Sequence, residues 1–268
     1  MKKPREEFNN KFFDNIMNSN EYLHVSIDPV KNQIRRYSRD MLEKRIRRES
    51  SDTAKSFDKL CGEEFCEIDE LFSLTNVYIG EGLFIASNEE NEMKVTSGML
   101  LMNAAETIQA SIELLRRGYL LQPGMLLRSI IETISTVAYF MYEPSGHKIY
   151  LEGKMDVNKI MKYGKQVIPN LGIIQGILSN FFVHISDLHS NFNGVDSYDE
   201  YSESLKINIS LIKSCTWSLY IVSELTFFDY FDDHTYWTKV SDNQYKFEEN
   251  EQVRKWKTNF FKEQYNSF

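Results

Sequence analysis

Between Pro123 and Tyr142 apolar residues recur so densely that a helix here must bury most of its circumference. Projected at about 100° per residue, Leu127, Ile130, Ile131, Ile134, Val137, Ala138 and Met141 share one broad face. Arg128, Glu132, Ser135 and Tyr139 form a stripe along its edge. The preceding pattern predicts a second helix from about Lys94 to Arg117, capped at Thr96 or Ser97, with Met99, Leu100, Ala105, Ile108 and Ile112 inward. Gly118 is a natural C-terminal stop, and the short link "GYLLQPG" makes the two helices an antiparallel hairpin.

Further helices are expected over residues 5–18, 31–48, 170–190, 203–229 and 248–261, with another starting near Ser51 or Asp52. The half "CTWSLYIVSELTFF" of the 203–229 helix is apolar nearly all round, which marks it as the central core helix. "LFSLTNVYIGEGLFIA", Leu71 to Ala86, reads either as a short hairpin or as a loop packed on the core. "SNEENE" and "NFNGVDSYDEYSES" read as polar surface connections. The fold class expected is all-α, a bundle of four to five core helices with helical extensions at both ends. Residues 1–90 form the N-terminal extension, 91–232 the core bundle and 233–268 the C-terminal extension.

Scarce Gly (12) and Pro (5) favour this helical reading, because turn-rich β folds need more punctuation. Three cysteines make no disulfide framework and suit a reducing cytosol. The start "MKKPREEFNNKFF" lacks the apolar segment of a secretory signal. The uncharged run Val167–Ser186 carries Pro169, Asn170, Gln175, Ser179, Asn180 and His184, a polar load that suits a core helix better than a membrane span. The chain is therefore expected to be cytoplasmic, with no membrane partner.

A net charge of −8 argues against nucleic-acid binding over the whole surface. Lys31 to Arg48 nevertheless holds eight basic residues against Asp40 and Glu43. Arg35, Arg36, Arg45 and Arg48 there are either a solvated face or a surface for phosphates or a protein partner.

Two constellations can carry chemistry. An Arg128–Glu132 pair one turn apart gives little stability on a buried helix. It either fixes helix register or lines a cleft in which Arg128 meets an anion and Glu132 holds it in place. In "LSNFFVHISDLHS", Asn180 and Asp187 lie four before and three after His184, so on a helix both share its face and can orient the imidazole as a base. His189 is on another face, which argues against a metal site built from the two histidines. Cys61-x4-Cys66 has no second pair at zinc spacing, and "FDDH" (Phe231–His234) reads as solvated charge. Phosphate-loop, GxSxG, HExxH and kinase signatures are absent, and no cofactor or metal is expected.

"RRGYLLQPGMLLRSIIE" followed by "LSNFFVHISDLHS" resembles a group of bacterial helical proteins with an Arg-Ser-x-x-Glu helix and a later Ser-x4-His helix. Through them the chain resembles the HEPN superfamily, helical bundles frequent in phage defence and toxin–antitoxin pairs. Many of these cleave RNA as dimers without a metal, through an Arg-polar-x3-His motif. The resemblance implies a homodimer and places Asn180 and His184 in that motif, with Ser179 where its arginine would stand. Arg128 would then supply the cation for the phosphorane charge, His184 the base, and Asp187 or Asn180 its orientation. Glu132, Ser179 and Tyr139 complete the expected cleft for RNA or a nucleotide. The alternatives are a non-catalytic binding or regulatory subunit, or a nucleotide-sensing module using the same cleft.

Overall fold

The computed structural model describes residues 22–28, 33–185, 187–242 and 244–261. Two compact units divide the chain, Met1–Asp52 and Thr53–Phe268.

In the smaller unit β1 (Tyr22–Asp28) pairs antiparallel with β2 (Gln33–Ser38), with a register irregularity between Tyr22 and His24. A short helix α1 (Met41–Lys44) and a π-helical turn (Arg45–Glu49) follow. The single basic helix expected over residues 31–48 is therefore a strand, a turn and a short helix. Ile34 and Tyr37 among charged neighbours suit a strand, and "YLHVSID" supplies the backbone partner that makes one. Arg35 and Arg36 lie on β2 opposite Ser26 and Val25, whereas Arg45 and Arg48 lie in the π-helical turn. The helix expected over residues 5–18 lies outside the described residues.

From Thr53 onward the larger unit takes up α2 (Ser50–Asn88), a long helix kinked at Cys61. It absorbs the whole of Leu71–Ala86, because Leu71, Thr75, Ile79, Gly82 and Ala86 recur at helical spacing and are buried. A tight turn with Glu90 at positive φ leads into α3 (Glu92–Arg116). Asn91 caps α3 through its side-chain oxygen, which accepts from Lys94 N at 3.1 Å, so the helix starts before the caps expected at Thr96 or Ser97. Gly118 sits at φ +83° past its end. Gly118 N–H donates to Leu115 O and Tyr119 N–H to Leu114 O, the pairing that closes a helix on a left-handed residue.

The hairpin partner is α4 (Gln122–Tyr142), followed by α5 (Ser145–Leu151), α6 (Val157–Val167) and α7 (Leu171–Leu178). α8 (Glu203–Thr226) is buried at every position from Cys215 to Thr226 and packs on α3 and α4, as its all-round apolar pattern requires. α2, α3, α4, α7 and α8 share one core, to which α2 gives Phe57, Cys61, Ile68 and Ile79. The boundary expected at residue 90 thus falls in a turn between two helices of that core.

The chain ends in a β3 (Trp237–Ser241) and β4 (Gln244–Phe247) antiparallel hairpin and α9 (Glu251–Phe261). Tyr236, Trp237, Val253, Phe260 and Phe261 build a second cluster on the Trp217, Tyr220, Ile221 and Leu225 side of α8. The all-α class stands, with two small hairpins added. No helix among the described residues is long and apolar enough to cross a membrane.

Candidate functional site

The Arg128–Glu132 pair is real, with Arg128 Nη2 3.0 Å from Glu132 Oε1. It is not interior, however: the two side chains keep 19% and 43% of their exposure, so the pair sits at the rim of α4. Arg128 Nη1 is buried without a hydrogen-bond partner among the described residues. Further along the stripe the side chains turn inward. Ser135 is buried and donates to Ile131 O at 2.6 Å. Tyr139 is buried with its ring 5.1 Å from that of Tyr163, and a Cβ on Gly146 would lie 2.4 Å from it. Tyr139 is therefore a packing residue that no ligand touches without opening the bundle.

The histidine segment differs from the expected helix over residues 170–190. α7 ends at Leu178, and Ser179–Val183 forms one π-helical turn closed by His184 N–H donating to Ser179 O at 2.9 Å. His184 itself is extended (φ −83°, ψ 122°), and a short 3-10 helix starts only at Asp187. The helical relation through which Asp187 was to share a face with His184 does not exist. Aromatic packing accounts for the break. Phe182 is buried against Gly124, where a Cβ would lie 2.2 Å from its ring, and Phe192 folds back to 4.6 Å from Phe182. A continued helix would carry Phe192 away from both.

Asn180 and His184 are exposed, and Ser179 is half-buried. Among the described residues the His184 ring has no hydrogen-bond or ion-pair partner. The contact of Phe182 on Gly124 brings the Ser-x4-His segment against the N-terminal end of α4, one turn before Arg128. The two motif segments are thus packed together, yet neither Arg128 nor His184 is aligned on the other by a bond. No group of His, Cys, Asp and Glu among the described residues is arranged to hold a metal ion.

A groove of about 630 Å³ lies elsewhere on the larger unit. One wall is α2, which presents Glu67, Glu70, Leu71 and Leu74 at i, i+3, i+4 and i+7. The other is α9, with Gln252, Val253, Trp256, Asn259 and Phe260 at the same period. Tyr220 of α8 and the residues His234, Thr235 and Tyr236 close the remaining side.

Buried polar groups fix this frame. Lys213, 1% exposed, donates from Nζ to Glu67 Oε2 and to Phe260 O, each at 2.6 Å, and so ties both walls from beneath. Glu224 Oε1 accepts from Thr235, Tyr236 and Trp237 N–H at 2.9, 2.8 and 3.0 Å. Burial raises the Glu224 carboxyl above the usual range, against the pull of those three donors. Trp217 Nε1 donates to Tyr236 Oη at 2.9 Å. His234 stacks on Phe228 with centroids 3.6 Å apart, and burial lowers its pKa. In "FDDH" the carboxylates Asp232 and Asp233 are exposed, as solvated charge requires, whereas His234 is half-buried, and Trp256 is 36% exposed. The helical spacing of Glu67 with Glu70 and of Gln252 with Trp256 and Asn259 was the signal for this groove.

No protein-family model, curated protein or solved structure matches this chain.

Proposed function

We propose that this chain is a cytoplasmic HEPN-like helical protein of a prokaryotic phage-defence or toxin–antitoxin system that binds rather than cuts. Three features support the class: the all-helical bundle, the Arg-Ser-x-x-Glu and Ser-x4-His segments, and their packing through Phe182 on Gly124. One observation carries the non-catalytic reading. His184 stands past the end of its helical turn, exposed and with no hydrogen-bond or ion-pair partner among the described residues, while Arg128 is paired with Glu132. A 2′-hydroxyl attack needs an aligned base and a cation free to meet the phosphorane. With Ser179 in place of the motif arginine, neither is supplied by one chain. The basic residues Arg35, Arg36, Arg45 and Arg48 of the smaller unit are the proposed contact for a protein partner, and the assembly is a homodimer.

The nuclease reading keeps one specific support, Nη1 of Arg128, a buried donor without a partner among the described residues that a phosphate oxygen would satisfy on reaching it. Induction in a bacterial host separates the two. Wild type, His184→Ala and Arg128→Ala should grow alike with intact total RNA. Growth arrest with fragmented RNA in wild type, relieved by His184→Ala, would overturn the binding reading.

A further inference from the structure

The groove between α2 and α9 shares no residue with the Arg128–His184 region, and its charge balance is one-sided. Among the described residues its lining holds Glu67 and Glu70 and neither lysine nor arginine. Glu67 already has a cation, Lys213, bound from inside the protein. Glu70 is exposed at the groove and has no ion-pair partner among the described residues. Of the three cations of α9, Lys257 pairs with Glu249 at 2.7 Å and Arg254 donates to Glu249 O at 3.0 Å, while the exposed Lys255 is not among the residues that line the groove. On the α9 wall of the same groove stands Trp256, still 36% exposed and stacked at 4.8 Å on Phe260.

An exposed carboxylate and a partly exposed indole lining one groove attract the same ligand chemistry. An ammonium or guanidinium gains Coulomb attraction from the first and quadrupole attraction from the second. An anion gains neither. Asn259 and Gln252 add side-chain carbonyls, acceptors for a ligand that carries donors only. A cavity near 630 Å³ matches the usual size of small-ligand sites.

We propose that this groove binds an organic cation, its ammonium or guanidinium group held between Glu70 and Trp256. Two sources present that chemistry: a free polyamine or guanidino compound, and a lysine or arginine side chain of a partner polypeptide. The inference does not depend on the HEPN-like reading, since no residue of that motif takes part.

The test uses the whole chain and its tryptophan emission, in which Trp256 is the indole a ligand can reach, since Trp217 and Trp237 are buried. Agmatine, spermidine and a lysine- and arginine-containing peptide are titrated in turn, with glutarate as the anionic control. A saturable change with a cation and none with glutarate is expected. Glu70→Gln, an exposed change that leaves the melting temperature alone, should weaken binding by about tenfold. Trp256→Leu, followed by calorimetry, should weaken it by a similar factor. Binding of agmatine or spermidine assigns the free source, and binding of the peptide alone assigns the polypeptide source. If no cation binds, if glutarate binds equally, or if Glu70→Gln binds as wild type does, the proposal is wrong.

Discussion

Replacing Glu224 by leucine should loosen the segment that leads into β3. Its Oε1 is the acceptor for three consecutive backbone N–H groups, those of Thr235, Tyr236 and Trp237, and the last two residues are buried. A buried donor left unpaired costs about 1–3 kcal/mol, so two of them cost about 2–6 kcal/mol. Removing a carboxylate from a buried position returns part of this, and a net loss of about 2–4 kcal/mol is expected. Glu224→Gln keeps an oxygen at the same point and should stay within about 1 kcal/mol of wild type.

The pH dependence adds a sign. Because burial raises the carboxyl pKa in the folded state, the native protein holds that proton more tightly than the unfolded chain. The stabilisation this gives is fully present below the ordinary glutamate range and is lost as pH rises through the raised value. Wild type should therefore lose ground against Glu224→Gln as pH rises, all else titrating alike in the two proteins. Urea unfolding of the three proteins at about pH 5 and about pH 8 measures both effects. A leucine variant within about 0.5 kcal/mol of wild type, or a gap that moves the other way with pH, would refute the reasoning.

Lys213→Met strips Glu67 and Phe260 O of their buried donor and should cost about 2–4 kcal/mol by urea unfolding. Adding Glu67→Gln should cost less than the sum of the single changes, since both act on one ion pair. Gly124→Ala drives a methyl into the Phe182 ring, where the site lies 2.2 Å from its nearest carbon, and should lower stability by about 1–3 kcal/mol in a thermal melt. Burial pushes the Cys61 thiol up to about 12 and raises that of Cys215, whereas Cys66 is exposed. An aromatic disulfide reagent should thus titrate Cys66 alone in the native protein and all three thiols in denaturant; a second fast thiol in the native state contradicts this packing.

The helices were legible wherever a 3.6-residue period met a clear stop. α4, the Gly118 terminus and the all-round burial of α8 follow from residue pattern alone. Leu71–Ala86 was ambiguous because its β-branched and aromatic residues lower helix propensity, and burial against the core overrode that preference. The basic helix failed for the opposite reason. Its charges fitted any solvated surface, and only the pairing partner at Tyr22–Asp28 decided for a strand. The break at His184 carries no glycine or proline. It arises from Phe192 closing on Phe182 and Phe182 on Gly124, a contact between residues 58 positions apart that no local pattern announces. The groove was half legible, since each wall has its own helical spacing, but the approach of α2 to α9 rests on Lys213, which sits in a helix read simply as core.

The most direct test of the binding reading is incubation of the purified chain with an end-labelled single-stranded RNA in the presence of a chelator. Attack by a 2′-hydroxyl leaves fragments ending in 2′,3′-cyclic phosphate, so the products identify the chemistry. An exposed His184 with no partner among the described residues predicts intact RNA with wild type and His184→Ala alike. Cyclic-phosphate fragments that disappear in the His184→Ala protein would mean that this chain is a nuclease after all.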